Sequence, residues 1–349
     1  MTGQTDNGAA TRLPLLDGLR GIAALGVLAF HLPGFFHIPQ MLPKAYLFVD
    51  FFFLLSGFVL TPVIAARRAS GVSATAFFVS RIRRFWPLAA VGTVLSALVF
   101  STNPSFPDVF PKLALALAFI PAVFLSHALF PLNVVQWSLF WELVANGAHA
   151  RWWDRWADRA LWMMVVLCGA IHGAAIVLIG TGDIGAHFDY WYLAIPRVAF
   201  AYGIGMLVAR HFTGAKAVSA PQWFLRGSLP VVAVALLPLT GDALLWVEVG
   251  VVLFLFPIAF RWIASAMPEE RWHRALSGLG RISFPLYAVH VPLLLGTQLF
   301  TYSWQGAVFG TMLVLAVSML LARVMEPGRG WRAARGQADT ASSTPANAA

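Results

Sequence analysis

Charged residues and cysteine are both scarce in this chain. Of its 349 residues, 11% are charged and 59% are hydrophobic, whereas an ordinary soluble domain carries about 25% charged residues. A soluble protein of this length could not cover its surface with so few charges. The single cysteine, Cys168, excludes an intrachain disulfide and a cysteine-rich metal site. HExxH, CxxC and GxSxG motifs and a glycine-rich phosphate loop are also absent from the sequence, so no metal site is expected.

The sequence contains instead a series of apolar blocks. Most are about 18 to 22 residues long, which is the length of a helix that crosses about 30 Å of hydrocarbon. We therefore predict an all-α, polytopic integral membrane protein with about ten transmembrane helices. The predicted spans are residues 16–33, 45–65, 86–102, 137–150, 160–179, 189–209, 228–241, 243–262, 282–300 and 305–323.

A further apolar stretch, residues 112–130, is punctuated by Pro111, Pro121 and Pro131. Broken backbone at membrane depth is tolerated where it lines a cavity, so we predict a re-entrant or interfacial segment here. With ten spans and cytoplasmic termini, 21 of the 24 Lys and Arg residues lie in cytoplasmic segments, as the positive-inside rule requires. If this stretch also crossed the membrane, 14 of them would face outward.

The basic residues lie in short loops between the spans. The pI near 10.4 therefore indicates membrane topology and not nucleic-acid binding. We predict a disordered cytoplasmic N-terminus over residues 1–13, one membrane domain over 14–327 and a disordered basic cytoplasmic tail over 328–349. This orientation is typical of a multi-pass protein of the bacterial cytoplasmic (inner) membrane with both termini cytoplasmic.

Two ionisable residues lie on the first predicted span. Arg20 and His31 are eleven residues apart, which is three helical turns plus about 20°, so they share one face at an axial separation of about 16 Å. Ionisable side chains inside a span cost several kcal/mol unless they face a polar interior, which favours a functional role. Taken alone, the pair also fits a positive-inside anchor and an interfacial histidine.

Other polar residues lie at the ends or inside of apolar spans. Asp50 begins the aromatic block of the second span, where a carboxylate that favours a helix N-terminus is the alternative interpretation. Ser138 and Glu142 share a face of the fourth span, and Glu142, near the outer leaflet, is a candidate to orient or charge a histidine. Tyr287 and His290 lie one turn apart on the ninth span.

Arg81 and Arg84 lie one helical turn apart in a predicted cytoplasmic loop. They can converge on one ligand, and bidentate guanidinium groups suit phosphates. Cytoplasmic loops are generally rich in arginine, so topology alone also explains them.

Glu326, which precedes Pro327 at the end of the last span, is more typical of a structural residue.

Six segments, taken together and in order, resemble the membrane acyltransferase-3 family. They are LDGLRGIAALGVLAFH at 16–31, VDFFFLLSGFVL at 49–60, RIRRFWPL at 81–88, WSLFWE at 137–142, YGIGML at 202–207 and LGRISFPLYAVHVPLL at 279–294. The resemblance implies an enzyme that moves an acyl group, usually acetyl, from cytoplasmic coenzyme A to a hydroxyl of a sugar, polysaccharide or lipid-linked acceptor. Acetyl-CoA or another acyl-CoA is then the donor substrate, and no permanently bound cofactor is expected.

The resemblance also implies roles for individual residues. His31 would be the catalytic histidine and Arg20 its partner position. Arg81 and Arg84 match the family's paired cytoplasmic arginines and would bind the phosphates of coenzyme A together with Arg20. Glu142 matches the first acidic position after Trp-Ser-Leu and is a third catalytic candidate, although the second acidic residue that often follows is absent here.

On this interpretation, His31 takes the proton of the acceptor hydroxyl. Direct transfer is favoured because no serine or cysteine is paired with a base. Asp50, Ser138, Tyr287 and His290 are predicted to bind substrate.

Two other functions compete with the acyltransferase. The first is a multi-span transporter or flippase for a sugar or lipid, in which buried ionisable groups form the substrate path. The second is a structural scaffold in which His31 is dispensable.

Overall fold

The computed structural model describes residues 13–236 and 242–325. Most of this part of the chain is helical, which confirms the predicted all-α class. The helices are α1 (Pro14–Phe35), α2 (Phe48–Ala69), α3 (Ala74–Phe100), α4 (Val109–Leu117), α5 (Gln136–Arg151), α6 (Asp158–Ile179), α7 (Ala194–Arg210), α8 (Ala220–Leu236), α9 (Asp242–Gly250), α10 (Phe256–Ala264), α11 (Glu270–Gln298) and α12 (Trp304–Met325). Shorter elements are the 3-10 helices Ala45–Leu47, Trp153–Arg155 and Phe188–Leu193, the π-helix Val251–Leu255, and the parallel strands β1 (Lys216–Ala217) and β2 (Ala266–Met267).

Some predictions concern residues outside the described ranges. They are the N-terminal segment apart from Leu13, the tail over 328–349, Glu326 and the end of the span at 228–241. The division into a membrane domain with two disordered termini therefore stays a prediction.

Eight helices in the described part of the chain are long and apolar enough to cross a membrane. The remaining two predicted spans are 137–150, which lies within the 16 residues of α5, and 228–241, which overlaps the second half of α8, a helix of 17 described residues. Both are shorter than the roughly 20 residues that cross the hydrocarbon core, so the count of ten spans stays a prediction. The eight are Pro14–Phe35, Ala45–Ala69, Ala74–Phe100, Asp158–Ile179, Phe188–Arg210, Leu245–Ala264, Glu270–Gln298 and Trp304–Met325.

The stretch predicted not to cross, residues 112–130, forms no membrane-spanning helix. α4 ends at Leu117, and the chain then runs without helix to the start of α5. Two side chains donate hydrogen bonds to carbonyl groups at the end of α4. Trp86 Nε1 donates to the Leu117 oxygen at 2.9 Å, and Gln136 Nε2 donates to the Ala116 oxygen at 2.6 Å. The broken backbone is thus tied to α3 and α5.

α3 begins earlier than predicted, at Ala74 and not at residue 86. Ser73 caps it, because its side chain accepts a hydrogen bond from a first-turn N–H at 3.1 Å. A hydropathy pattern marks only the apolar part of a helix, whereas polar residues with good helix propensity extend it beyond that part. Arg81 and Arg84 therefore lie on a helix and not in a loop, which corrects the prediction.

α2 and α7 lie at the centre of the bundle. In each of the two spans that contain them, 72% of the residues in an apolar 18-residue segment are buried, against 17% for the corresponding segment of α12. Gly205 of α7 packs against the Leu54 carbonyl of α2 so closely that a Cβ would overlap it. A small residue at such a contact lets two helix backbones approach, which is a common basis of helix packing in membranes.

A buried ion pair also joins α2 and α7. Arg197 and Asp50 have side chains that are 0% and 2% exposed. Arg197 Nε and Nη2 donate to the two carboxylate oxygens at 2.9 and 2.8 Å, and the guanidinium also donates to the carbonyls of Ile184 and Tyr46. Because every oxygen of Asp50 and every nitrogen of Arg197 has a partner, the pair can be buried without an unsatisfied charge.

We expect Asp50→Asn and Arg197→Gln each to destabilise the protein by about 3–5 kcal/mol, because each leaves one buried charge unpaired. The double variant removes both charges and should be destabilised by clearly less than the sum of the two. Thermal unfolding of the purified protein in detergent measures the three changes.

The exposed pair Glu269 and Arg271, 38% and 69% exposed, provides the control cycle. Its coupling should be below about 1 kcal/mol. Additive effects of Asp50→Asn and Arg197→Gln would contradict the role given to the buried pair.

Candidate active site

A pocket lies between α1, α2, α3, α5 and α11. Its lining follows α2 from Leu60 to Val49, which at 1.5 Å per residue is a length of about 16 Å. Arg20, Arg81 and Arg84 line one part of it, which we call the arginine end. Three guanidinium groups from two helices are thus gathered at one pocket, where they can bind an anionic ligand.

Arg20 reaches from α1 to α11. Its Nε donates to Ser283 Oγ at 2.8 Å, and its Nη2 donates to the Gly280 carbonyl at 2.6 Å. The Asp17 carboxylate lies 3.7 Å from the same Nη2. These contacts fix the direction of the Arg20 guanidinium while the residue still lines the pocket.

Glu142 lies at the arginine end as well. Its Oε1 accepts a hydrogen bond from Ser56 Oγ at 2.5 Å and lies 3.6 Å from Arg81 Nη2. The sequence suggested a position near the outer leaflet, where Glu142 could orient a histidine. The structure instead pairs it with Arg81, because the early start of α3 places that arginine beside α5. A catalytic role for Glu142 stays a prediction.

A hydroxyl pair and two aromatic rings line the other part of the pocket, which we call the tyrosine end. Tyr287 and Ser138 have their hydroxyl oxygens 2.7 Å apart, and the Tyr287 ring packs edge-on against Phe52 with centroids 5.5 Å apart. Val49 completes this end. The tyrosine end is therefore mostly apolar, with one hydroxyl pair that can contact a polar group.

His31 and His290 meet directly beyond the tyrosine end. His290 Nε2 lies 3.2 Å from His31 Nδ1, and the two ring centroids are 5.1 Å apart. His290 also packs against the Tyr287 ring at 5.9 Å between centroids. His290 is fully buried, whereas His31 is partly exposed. The histidine pair therefore contacts the pocket lining through Tyr287.

Close packing of α1 on α11 brings Arg20 to Ser283 and His31 to His290. An added Cβ at Gly21 would overlap the Leu279 backbone, and one at Gly280 would overlap Asp17. Both glycines therefore let the helices approach to backbone contact. α1 then presents Arg20 and His31, which share one face, to the same neighbour.

The structure brings most of the predicted site residues together. Asp50 does not line the pocket, because Arg197 binds both of its carboxylate oxygens. That contact supports a structural role, and substrate binding by Asp50 stays an untested prediction. His31 and His290 adjoin the pocket through Tyr287. The predicted residues that line the pocket are Arg20, Arg81, Arg84, Ser138, Glu142 and Tyr287.

Two buried polar groups have roles that the sequence analysis did not assign. Arg197 lies inside the predicted span 189–209, where an arginine requires a buried counter-charge. Glu248, which is fully buried, accepts hydrogen bonds from Lys44 and Tyr46, each at 2.8 Å. Burial favours the neutral form of Lys44, but its hydrogen bonds to Glu248 and Tyr46 outweigh burial and raise the pKa of Lys44 above its ordinary value.

The chain matches the family profile described as an acyltransferase domain over residues 13–323. It belongs to the acyltransferase-3 family. The resemblance seen in the six sequence segments is thereby confirmed, and the protein is an acyltransferase with several helices that can cross a membrane. No solved structure matches the chain.

Curated relatives cover different parts of the chain. A Rhizobium radiobacter protein named protein 2 in picA locus is 36% identical over 186 residues, which is 48% of this chain and 93% of that protein. Proteins named putative O-acetyltransferase from Staphylococcus aureus strains COL and MSSA476 are each 33% identical over 81 residues, which is 23% of this chain. The chain spans 13% of the length of these two relatives.

We expect Glu142→Gln to lower the stability of the protein by about 1–3 kcal/mol, because it leaves the buried guanidinium of Arg81 without its charged partner. Thermal unfolding in detergent measures this change. As a control, Arg83→Gln, at an exposed position of α3, should change stability by less than about 0.5 kcal/mol. Equal unfolding temperatures for Glu142→Gln and the unaltered protein would show that the Arg81–Glu142 contact does not stabilise the fold.

Proposed function

We propose that this protein is a membrane O-acyltransferase that moves an acetyl group from acetyl-CoA to a hydroxyl of a sugar, polysaccharide or lipid-linked acceptor. One observation carries the proposal. Three arginines converge on a pocket whose opposite end adjoins the His31–His290 pair. The names of the Staphylococcus aureus relatives support O-acetyl transfer.

The donor binds at the arginine end. Coenzyme A carries several phosphates, and arginine binds phosphate oxygens through charge-assisted hydrogen bonds. Arg84, which is exposed, contacts the phosphates first, and Arg81 and Arg20 extend the positive surface into the bundle. The thioester then lies toward Tyr287 at the tyrosine end. In the membrane, the arginine end faces the cytoplasm, the termini are cytoplasmic, and the membrane is the bacterial inner membrane.

The transfer is a direct displacement at the acyl carbon. A ring nitrogen of His31 takes the proton of the acceptor hydroxyl, and the hydroxyl oxygen forms a bond to the acyl carbon. The carbon–sulfur bond then breaks, and the coenzyme A thiolate leaves with its electron pair. The proton on His31 passes to that thiolate, so the products are the ester and free thiol.

Thiol release from acetyl-CoA tests the proposal. The purified protein in lipid nanodiscs is given acetyl-CoA with a panel of hexose, deoxyhexose and N-acetylhexosamine glycosides. His31→Ala should lower kcat by about 10²–10⁴-fold, because it removes the general base. Arg84→Ala should mainly raise KM for acetyl-CoA, by about tenfold or more, because it removes a charged hydrogen bond to the donor.

His211→Ala is the control for histidine removal. His211 is 53% exposed and pairs with Asp158 at the surface, so kcat and KM should stay at the values of the unaltered protein. Absence of thiol release with every acceptor, together with absence of coenzyme A binding by calorimetry, would refute the proposal. Transport of a glycoside into proteoliposomes without acyl donor would instead favour a transporter.

A further inference from the structure

We propose that His290 is a positioning residue that fixes the tautomer of His31, so that Nε2 of His31 is the nitrogen that accepts the proton. The inference rests on the proposed function, because it concerns the same general base. It follows from the hydrogen-bond partners of the two rings, taken in turn.

The tautomer of His290 is set by its own helix. Its Nδ1 lies 3.1 Å from the Leu286 carbonyl oxygen and 3.0 Å from the Tyr287 carbonyl oxygen. Carbonyl oxygens only accept hydrogen bonds, so Nδ1 carries the hydrogen. Among the described residues, the polar contacts of His290 are these two carbonyls and His31, and the ring is fully buried. A buried cation without a carboxylate partner is strongly unfavourable, so the ring is neutral and its Nε2 carries a lone pair.

The tautomer of His31 follows from that of His290. His31 Nδ1 lies 2.9 Å from the Val27 carbonyl oxygen and 3.2 Å from His290 Nε2. Both partners are acceptors, so Nδ1 of His31 must carry the hydrogen. A neutral imidazole has one N–H, which leaves a free lone pair on His31 Nε2. That atom is then available as the base.

The same contacts stabilise the charged ring that forms during the reaction. After Nε2 takes the acceptor proton, Nδ1 still donates to His290 and to the Val27 carbonyl. Two acceptors therefore face the imidazolium, as the carboxylate faces it in a Ser-His-Asp triad. When the proton leaves for the thiolate, His31 returns to its starting tautomer. No bond to His290 forms or breaks in this cycle.

His290 is held in place by neighbouring contacts, two of which come from residues that line the pocket. Its ring packs against Tyr287, whose hydroxyl lies 2.7 Å from Ser138 Oγ. Two residues after His290, Pro292 has no N–H, and the Ala288 carbonyl that it leaves free accepts a hydrogen bond from Asn133 at 3.0 Å. The position of His290 is therefore set by contacts from α5 and from the segment that precedes it.

Two substitutions distinguish the loss of the hydrogen-bond acceptor at position 290 from the loss of the imidazole ring itself. His290→Leu removes the acceptor at similar volume, whereas His290→Gln supplies an amide oxygen that can accept from His31 Nδ1. We expect His290→Leu to lower kcat by about tenfold or more, because a hydrogen bond to a charged group is lost. KM for acetyl-CoA should stay unchanged. His290→Gln should recover most of kcat, which a merely structural role would not predict.

Thr297→Val is the matched control on the same helix. Thr297 is buried, and its hydroxyl donates to the Leu293 carbonyl within α11, away from His31. This variant should keep the kcat of the unaltered protein. A kcat for His290→Leu equal to that of the unaltered protein, or an equal loss in His290→Gln and His290→Leu with normal melting temperatures, would overturn the inference.

Nitrogen-15 NMR of histidine-labelled protein in nanodiscs reads the tautomer without any acceptor. The His31 signals are identified by their absence from His31→Ala. They should show a protonated Nδ1 and an unprotonated Nε2 in the unaltered protein and in His290→Gln. In His290→Leu the share of rings protonated on Nε2 should rise, because the Val27 carbonyl is then the one remaining acceptor of Nδ1 among the contacts described above. A protonated Nε2 in the unaltered protein would overturn the inference, even if His290→Leu failed to fold. Absence of thiol release together with absence of coenzyme A binding, in contrast, would refute the proposed function and leave the tautomer result standing.

Discussion

Glycines bring α1 and α11 into backbone contact, and both ends of the candidate site depend on that contact. At one end it lets Arg20 donate hydrogen bonds to α11 at Ser283 and Gly280. At the other end it places His31 beside His290. Arg20 and His31 share one face of α1, so the rise of that helix sets the distance between the group expected to bind the donor and the group expected to act as base. The interface with α11 gives both of them their partners, and a shift of one helix along the other would change both sets of contacts together.

Charge inside the bundle is handled in two different ways. The structural arginine on α7 is neutralised by a carboxylate with complete hydrogen bonding. The proposed base instead has a neutral partner, the ring of His290. A neutral acceptor stabilises the imidazolium while that cation exists. It adds no permanent charge to the membrane interior, where burying a charge costs free energy. The interior therefore separates groups that stabilise the fold from groups that change protonation.

Much of the architecture follows from the sequence, because hydropathy and the placement of Lys and Arg report directly on membrane crossing. The same reasoning located Arg20 and His31 on one face, since helix periodicity is independent of context. It misplaced the start of α3, because a hydropathy pattern does not detect a polar helical extension. It also could not pair Asp50 with Arg197 or Glu142 with Arg81, because contacts between distant helices depend on packing. The His31–His290 contact, 259 residues apart in the chain, lies beyond any local pattern for the same reason.

The short length of α5 has a consequence for the dependence of the enzyme on its lipid environment. Its 16 residues measure about 24 Å, which is less than the roughly 30 Å of hydrocarbon in a typical bilayer. A bilayer accommodates a helix shorter than its hydrocarbon core by local thinning or by snorkelling of the flanking side chains, at fractions of a kcal/mol per Å. α5 is the fourth span predicted from the sequence, and it carries Ser138 and Glu142 into the pocket. If it crosses the membrane, a change in lipid chain length acts on the alignment of the two ends of the site, and the acyl chains of the surrounding membrane are then part of the conditions under which this site is assembled.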